Sequence, residues 1–348
     1  MKFVHVVEAW KGGVATYLEA LIHQQLACGY QVYLVCDEKV LHQDQRSIEG
    51  CQLITYESSR NPFHFIGISR QIKRILEEVG ADVVHFHSSF PGVYGRIQKH
   101  QCKVFYSPHS WGFSQRNVSK LKLAFFSIAE RILSGNCTKI ICISRDELNS
   151  AKRIGIKGRK LELVYTGIKD KQISVPAGQA DSSLKVGFFG RLDHQKGFDI
   201  LLGAESTIKR NVEIHVYGDS VRSEVLEDYQ GRFIFHGWVD SERVSEEMAG
   251  LDLIVMPSRW EGFAIVPLES MRAGKGLIVS NQSSLPEVVI DGYNGLVLKS
   301  NESQVLAEAI NSLSLIETQQ LGVNARKVYE KCFSFDMYYR KLEGIYLE

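Results

Sequence analysis

The chain of 348 residues lacks most of the features that would assign it at a glance. Its seven cysteines (Cys28, Cys36, Cys51, Cys102, Cys137, Cys142 and Cys332) are odd in number and scattered, with no Cys-x-x-Cys pair. That pattern excludes a secreted disulfide framework and fits thiols packed as small hydrophobes in a reducing cytosol. No apolar run approaches the ~20 residues a spanning helix needs. The opening Met1-Lys2-Phe3-Val4-His5-Val6-Val7-Glu8 is too short and too soon charged for a signal peptide, so any membrane contact is expected to be peripheral. There is no full Gly-x-Gly-x-x-Gly, which counts against a dinucleotide-dependent dehydrogenase. There is no low-complexity segment, short-period repeat or recognised nucleic-acid-binding motif, and no nucleic-acid partner is expected.

Net charge is also scarce, at +1. Near-neutrality conceals an asymmetry. Residues 1–175 carry 24 Lys and Arg against 15 Asp and Glu, a balance of +9, while residues 176–348 carry 17 against 25, a balance of −8. The basic half favours anionic partners such as acidic lipid headgroups or diphosphates. The plain alternative is surface drift between two domains.

What is present is alternation. Strand-like runs at Phe3–Val7, Gln31–Cys36, Val83–His87, Lys103–Ser107 and Lys139–Ile143 are separated by stretches with helical apolar spacing, such as Val14–Ala27 and Phe65–Val79. The pattern pauses over 169–183, then restarts with strands at Leu184–Phe189, Val212–Tyr217, Arg232–Phe235, Leu251–Met256 and Gly276–Ser280. This predicts an α/β chain of two Rossmann-like domains, each a mostly parallel sheet flanked by helices. The expected boundaries are 1–168 for an N-terminal domain, 169–183 for a linker and 184–332 for a C-terminal domain. The aromatic tail 333–348 reads as a helix packed on the body.

Four constellations sit where strands give way to loops. Lys11-Gly12-Gly13-Val14 follows the first strand, and adjacent glycines let backbone approach a ligand. Gly190-Arg191-Leu192-Asp193-His194-Gln195-Lys196-Gly197 puts a guanidinium and an ammonium in one loop, a combination suited to a diphosphate. Pro257 to Gly274 holds Glu261 and Glu269 around a glycine turn and a helix start. Backbone donors there suit an anion, and the carboxylates suit the hydroxyls of a polyol. His109, in Pro108-His109-Ser110-Trp111-Gly112, either faces a ligand or is a structural histidine bonded to a backbone carbonyl. His85 and His87 alternate on one strand face and find no third ligand of suitable spacing for a metal. The run Lys120 to Arg131 mixes Leu and Phe with cations. It reads as plain core in preference to a membrane-interface helix.

Together Gly12-Gly13, Gly190-Arg191-Leu192 with Lys196-Gly197, Glu261-Gly262-Phe263 through Glu269, and Leu285-Pro286-Glu287 through Gly295-Leu296 resemble the retaining, nucleotide-sugar-dependent glycosyltransferases of the GT-B fold, the group 1 or family 4 type. The resemblance covers nearly the whole chain and is most specific over 184–300. It implies a cleft between the two domains and no required metal or cofactor. It implies that Arg191 and Lys196 bind the donor diphosphate and that Glu269 meets the ribose. Glu261, Phe263, Ala264 and Ile265 would hold the donor sugar, and Gly13 would approach the diphosphate. Val239, in His236-Gly237-Trp238-Val239, would contact the base, and His109 would lie near the transferred sugar and the acceptor. The final helix would cross back onto the first domain. Ala264 stands where the family often has glycine, which crowds the sugar site.

The function expected from this resemblance is transfer, with retention, of a hexose or N-acetylhexosamine from a UDP-linked donor. The acceptor would be a glycan, lipid-linked, in bacterial surface polysaccharide assembly (O-antigen or capsule), with the enzyme cytoplasmic and peripheral on the inner face of the membrane. A nucleotide-sugar epimerase of the same fold and a non-catalytic membrane-associated scaffold are the alternatives. Intact Arg191, Lys196, Glu261 and Glu269 argue against the scaffold.

Overall fold

The apolar run Leu-Ile-Val-Met at 253–256 forms a strand covered on both faces, and Val-Val-His-Phe-His at 83–87 is likewise buried at every residue although His85 and His87 interrupt its apolar sequence. The computed structural model describes residues 1–8, 12–38, 48–114, 119–172, 183–219, 231–240 and 243–348, without the side chains of 12, 13 and 16. These residues divide into two units, Met1–Thr166 with Tyr338–Glu348, and Gly167–Met337.

The first unit is built from β1 (Lys2–Val6), α1 (Gly12–Ala27), β2 (Gln31–Asp37), β3 (Gln52–Tyr56), α2 (Phe65–Val79), β4 (Val83–His87), α3 (Ser89–Arg96), β5 (Lys103–Ser107), α4 (Lys120–Leu133), β6 (Lys139–Cys142), α5 (Arg145–Arg153) and β7 (Leu161–Leu163). Its seven strands are parallel and ordered β3-β2-β1-β4-β5-β6-β7. The second unit holds β8 (Leu184–Phe189), α6 (Phe198–Ala204), β9 (Val212–Tyr217), β10 (Phe233–Gly237), α7 (Val244–Ala249), β11 (Leu253–Met256), α8 (Val266–Arg272), β12 (Gly276–Val279), β13 (Gly295–Val297), α9 (Ser303–Ser312) and α10 (Leu315–Val328). Its order is β10-β9-β8-β11-β12-β13, again parallel. The last helix, α11 (Phe335–Leu347), places Tyr346 in the first unit, packed on Phe3 and Phe105.

All ten expected strands are present, with ends moved by two residues or fewer. Three more appear: β3, β7 and β13. Each is the edge strand of its sheet, five residues long or shorter and incompletely buried, so none shows a continuous apolar run. Residues 173–182 of the expected linker lie outside the described residues. Among the described residues no helix is long and apolar enough to cross a membrane.

The core reading of α4 is corrected. Leu121, Phe125, Ile128 and Ile132 are 86%, 67%, 60% and 70% exposed. What anchors the helix is its other face. Glu130 is buried and accepts from Arg96 Nη2 at 2.9 Å, and the Arg96 guanidinium lies 3.6 Å over the Tyr106 ring. Removing one partner of a buried pair leaves an uncompensated charge, which costs about 3–5 kcal/mol. Glu130→Ala is therefore expected to lower stability to denaturant by that amount. The double variant Arg96→Met/Glu130→Leu is expected to recover most of the loss, measured by urea unfolding of both variants.

Candidate active site

The second sheet reverses its order between β8 and β11. In an open α/β sheet the ligand crevice forms at that reversal, outside the carboxyl ends of the strands. The loops leaving β8 and β11 are 190–197 and 257–265, the two segments richest in candidate residues.

Local sequence explains how they are held. Three strands that are neighbours in space end in an aromatic-glycine pair: Phe189-Gly190, Tyr217-Gly218 and His236-Gly237. The rings stack nearly flat, Phe189 on Tyr217 with centroids 4.4 Å apart and Tyr217 on His236 at 4.4 Å. The glycines let backbone meet backbone. A Cβ on Gly218, where φ is +150°, would stand 1.9 Å from the Gly190 carbonyl oxygen. Gly197, with φ of +71°, opens α6 against the other loop, and a Cβ there would stand 2.1 Å from the Pro257 carbonyl oxygen.

Side chains then clasp the two loops together. The Arg259 amide donates to the Gln195 carbonyl at 2.8 Å, and its guanidinium donates to both carboxylate oxygens of Asp199 at 2.7 Å. That fork holds the Asp199 carboxyl below its ordinary range. Gln195 Nε2 donates to the Trp260 carbonyl at 3.3 Å while its Oε1 accepts from Arg191 Nη2 at 2.9 Å. Arg191 also lies 3.2 Å from Asp193 and keeps half of its side chain, 51%, in solvent. Lys196 Nζ donates to Glu261 Oε1 at 2.7 Å, with the two side chains 19% and 7% exposed. Arg191, Lys196 and Glu261 thus share one network, although the sequence reading assigned Lys196 and Glu261 to separate tasks. Gln195, Arg259 and Asp199 escaped that reading, because nothing in their spacing shows that they bridge two loops.

Glu269 sits in α8, half-buried, with its amide donating to the Ile265 carbonyl. Its carboxylate has no hydrogen bond among the described residues. Burial raises its pKa, partly offset by Arg272. A half-buried carboxylate with unused acceptor capacity is chemically fit to receive hydroxyl donors. Phe263 packs on Phe333, with ring centroids 6.2 Å apart. Ala264 and Ile265 precede α8 and are half-buried, as is Val239 just beyond β10. One residue of the motif 285–296 is fixed inside the fold. Asn294 is fully buried, and its side chain accepts from the Ile290 amide and donates to the Val288 carbonyl.

In the first unit the sheet reverses between β1 and β4. Gly13 lies in the first turn of α1, and Lys11 lies outside the described residues. The histidine reading is corrected here. His5 on β1 pairs in register with His85 on β4, so the expected pair becomes a buried trio whose ring nitrogens lie near enough for one metal ion. Parallel pairing across 80 residues is invisible to local spacing. The protein already engages these nitrogens. His5 bonds Gln25 at 2.8 Å and His87 at 3.1 Å, while His85 bonds Tyr346 at 2.6 Å and Ser107 at 2.8 Å. His87 bonds Tyr17 at 2.5 Å. His109, at the end of β5 with φ of +50°, stacks on His87 and lies 3.3 Å from both His87 Nδ1 and the Tyr17 hydroxyl. It is bonded to side chains, so the backbone-carbonyl reading does not describe it.

Two Rossmann-like units in one chain, with cations and carboxylates gathered at the sheet reversal of the second, define the GT-B architecture. The profile of the glycosyl transferases group 1 matches residues 170–328, and that of glycosyltransferase family 4 matches residues 11–172. A 41.2 kDa protein in the cps region of Klebsiella pneumoniae is 28% identical over 90% of both chains. An uncharacterized glycosyltransferase of Methanocaldococcus jannaschii is 31% identical over 79% of this chain and 78% of its own length. The UDP-Gal:alpha-D-GlcNAc-diphosphoundecaprenol alpha-1,3-galactosyltransferase of Escherichia coli is 23% identical over 79% and 77%. Among solved structures, sucrose-phosphate synthase from Thermosynechococcus elongatus superposes with a TM-score of 0.84 at 20% identity, covering 99% of this chain and 98% of that one. An Anabaena protein in complex with UDP and glucose gives 0.80 at 19%, covering 99% and 98%. A lipopolysaccharide outer core galactosyltransferase gives 0.81 at 18%, covering 99% of each. At these identities the superpositions show the fold. The chain belongs to the group 1 glycosyltransferases, a family with relatives in polysaccharide and lipopolysaccharide biosynthesis.

Burial holds His5 and His109 neutral, lowering each pKa from 6.5 to about 4. The unfolded chain therefore takes up protons first as pH falls. Stability is complete above pH 6.5 and declines between 6.5 and 4, by about 3 kcal/mol for the fully buried His5 alone. Melting curves across that window are expected to show a falling Tm, with a shallower fall in His5→Gln. A Tm that stays flat would show that these rings titrate normally.

Proposed function

We propose that the chain is a retaining transferase of a hexose or N-acetylhexosamine from a UDP-linked donor. The observation that carries this is the network of Arg191, Lys196 and Glu261 at the reversal of the second sheet. Arg191 and Lys196 bind the donor diphosphate and stabilise its charge as it leaves. Glu261 and the backbone of Phe263 to Ile265 hold the sugar, Glu269 accepts from the ribose hydroxyls, and Val239 contacts the base. Gly13 approaches the diphosphate. The bond from the anomeric carbon to the diphosphate oxygen breaks while the acceptor oxygen bonds that carbon from the same face. The acceptor proton passes to the departing phosphate oxygen. No metal is required in this reading, because two side-chain cations supply the electrostatic role. The first unit binds the acceptor and the second the donor, and His109 is the first unit's side chain for the acceptor.

A lipid-linked glycan is the acceptor that best suits a basic first half. The E. coli relative, by its name, uses UDP-Gal and a diphosphoundecaprenol-linked sugar. Seven free cysteines support a reducing cytoplasmic setting.

The test is a panel of nucleotide-sugars scored for thermal stabilisation and then for transfer to a lipid-linked acceptor. One UDP-sugar should raise Tm and be transferred with its anomeric configuration kept, as read by NMR of the product. Arg191→Ala and Lys196→Ala should each lower kcat by ~10²–10³. Turnover of donor to an isomer without acceptor would favour the epimerase reading instead.

A further inference from the structure

We propose that the outer face of α4 is a seat for an anionic lipid bilayer, with its four large apolar side chains entering the acyl boundary. This deepens the lipid-linked acceptor reading by naming the surface that meets the membrane. At 100° per residue, Leu121, Phe125, Ile128 and Ile132 fall within an arc of about 60°. Each is at least 60% exposed, so the stripe is uncovered along nearly the whole helix. Fourteen residues give a length of about 21 Å. Contiguous exposed apolar surface of this kind marks an interaction site.

Charge selects the occupant. Lys120 and Arg131 flank one side of the stripe and Lys122 the other, each roughly 90–110° from its centre, and all three are exposed. Long cationic side chains at that angle reach headgroup phosphates while their stems lie along the apolar stripe. The helix has a single acid, Glu130, and it is buried against Arg96 on the opposite face. The outward side is therefore apolar and cationic with no carboxylate. A two-fold copy of the chain seated on this face would bring Lys120, Lys122 and Arg131 against their own kind, with no acid on the helix to offset them. A plane of anionic headgroups meets the same pattern with complementary charge. Leu123 and Phe126, half-buried, hold the inner side, so the stripe is surplus to folding.

The experiment is co-sedimentation of the full chain with phosphatidylglycerol-containing vesicles and with pure phosphatidylcholine vesicles, without donor or acceptor. Wild type is expected to bind the anionic vesicles and to be released as salt rises. Phe125→Ser/Ile128→Ser should weaken binding by at least about tenfold at unchanged Tm. Lys120→Gln/Lys122→Gln/Arg131→Gln should remove the preference for anionic lipid, since each cation near such a surface contributes about fivefold. Phe125→Trp should show a blue-shifted emission that brominated lipid quenches. Wild type that stays in the supernatant with both vesicles, or variants that bind as wild type does, would overturn the proposal. So would a wild-type dimer that Phe125→Ser/Ile128→Ser dissolves while vesicle binding persists. Failure of vesicle binding with transfer intact in detergent would remove only the surface assignment. Vesicle binding without transfer would remove only the reaction.

Discussion

The ion pair between Lys196 and Glu261 is the contact on which the candidate site depends. It joins the loop leaving β8 to the loop leaving β11, and these strands flank the reversal of the second sheet. A carboxylate only 7% exposed would be costly to leave alone. Lys196 compensates it, and Glu261 in turn fixes the ammonium in place. In the proposed reaction an incoming diphosphate would meet a cation already positioned, and little reorganisation would remain. The Arg259 fork on Asp199 and the Gln195 bridge hold the same two loops from other directions and so frame the pair.

Backbone chemistry makes the clasp feasible. Gly197 and Gly218 stand where a Cβ would collide with a carbonyl oxygen. The aromatic residue before each of Gly190, Gly218 and Gly237 stacks into one ladder, which fixes how the strand ends sit beside one another. Sheet order, glycine placement and side-chain pairing therefore act on the same few residues. Agreement of that kind across levels is what lets a sequence specify a site.

How much of this was legible beforehand follows from what local pattern can encode. Central strands such as β4, β8 and β9 were readable to the residue because each is largely buried and carries apolar residues at most or at alternate positions. The edge strands β3, β7 and β13 were not, since each is covered only in part. Helix α2 was readable because its apolar residues share one face. Helix α4 misled, because it has apolar residues on two faces and hydrophobicity alone does not say which one is covered. Arg191, Lys196, Glu261 and Glu269 stood out through their positions after strands. The contact of Lys196 with Glu261, and the arrival of His5 beside His85, come from pairing between distant segments.

The most direct measurement is calorimetric titration of UDP into the wild type, Lys196→Met, Glu261→Gln and the double variant. The expected result is a loss of at least about tenfold in affinity for Lys196→Met, with a coupling of about 1 kcal/mol or more between the two positions. Unchanged affinity in Lys196→Met, or strictly additive effects, would contradict a preformed diphosphate site built on this pair.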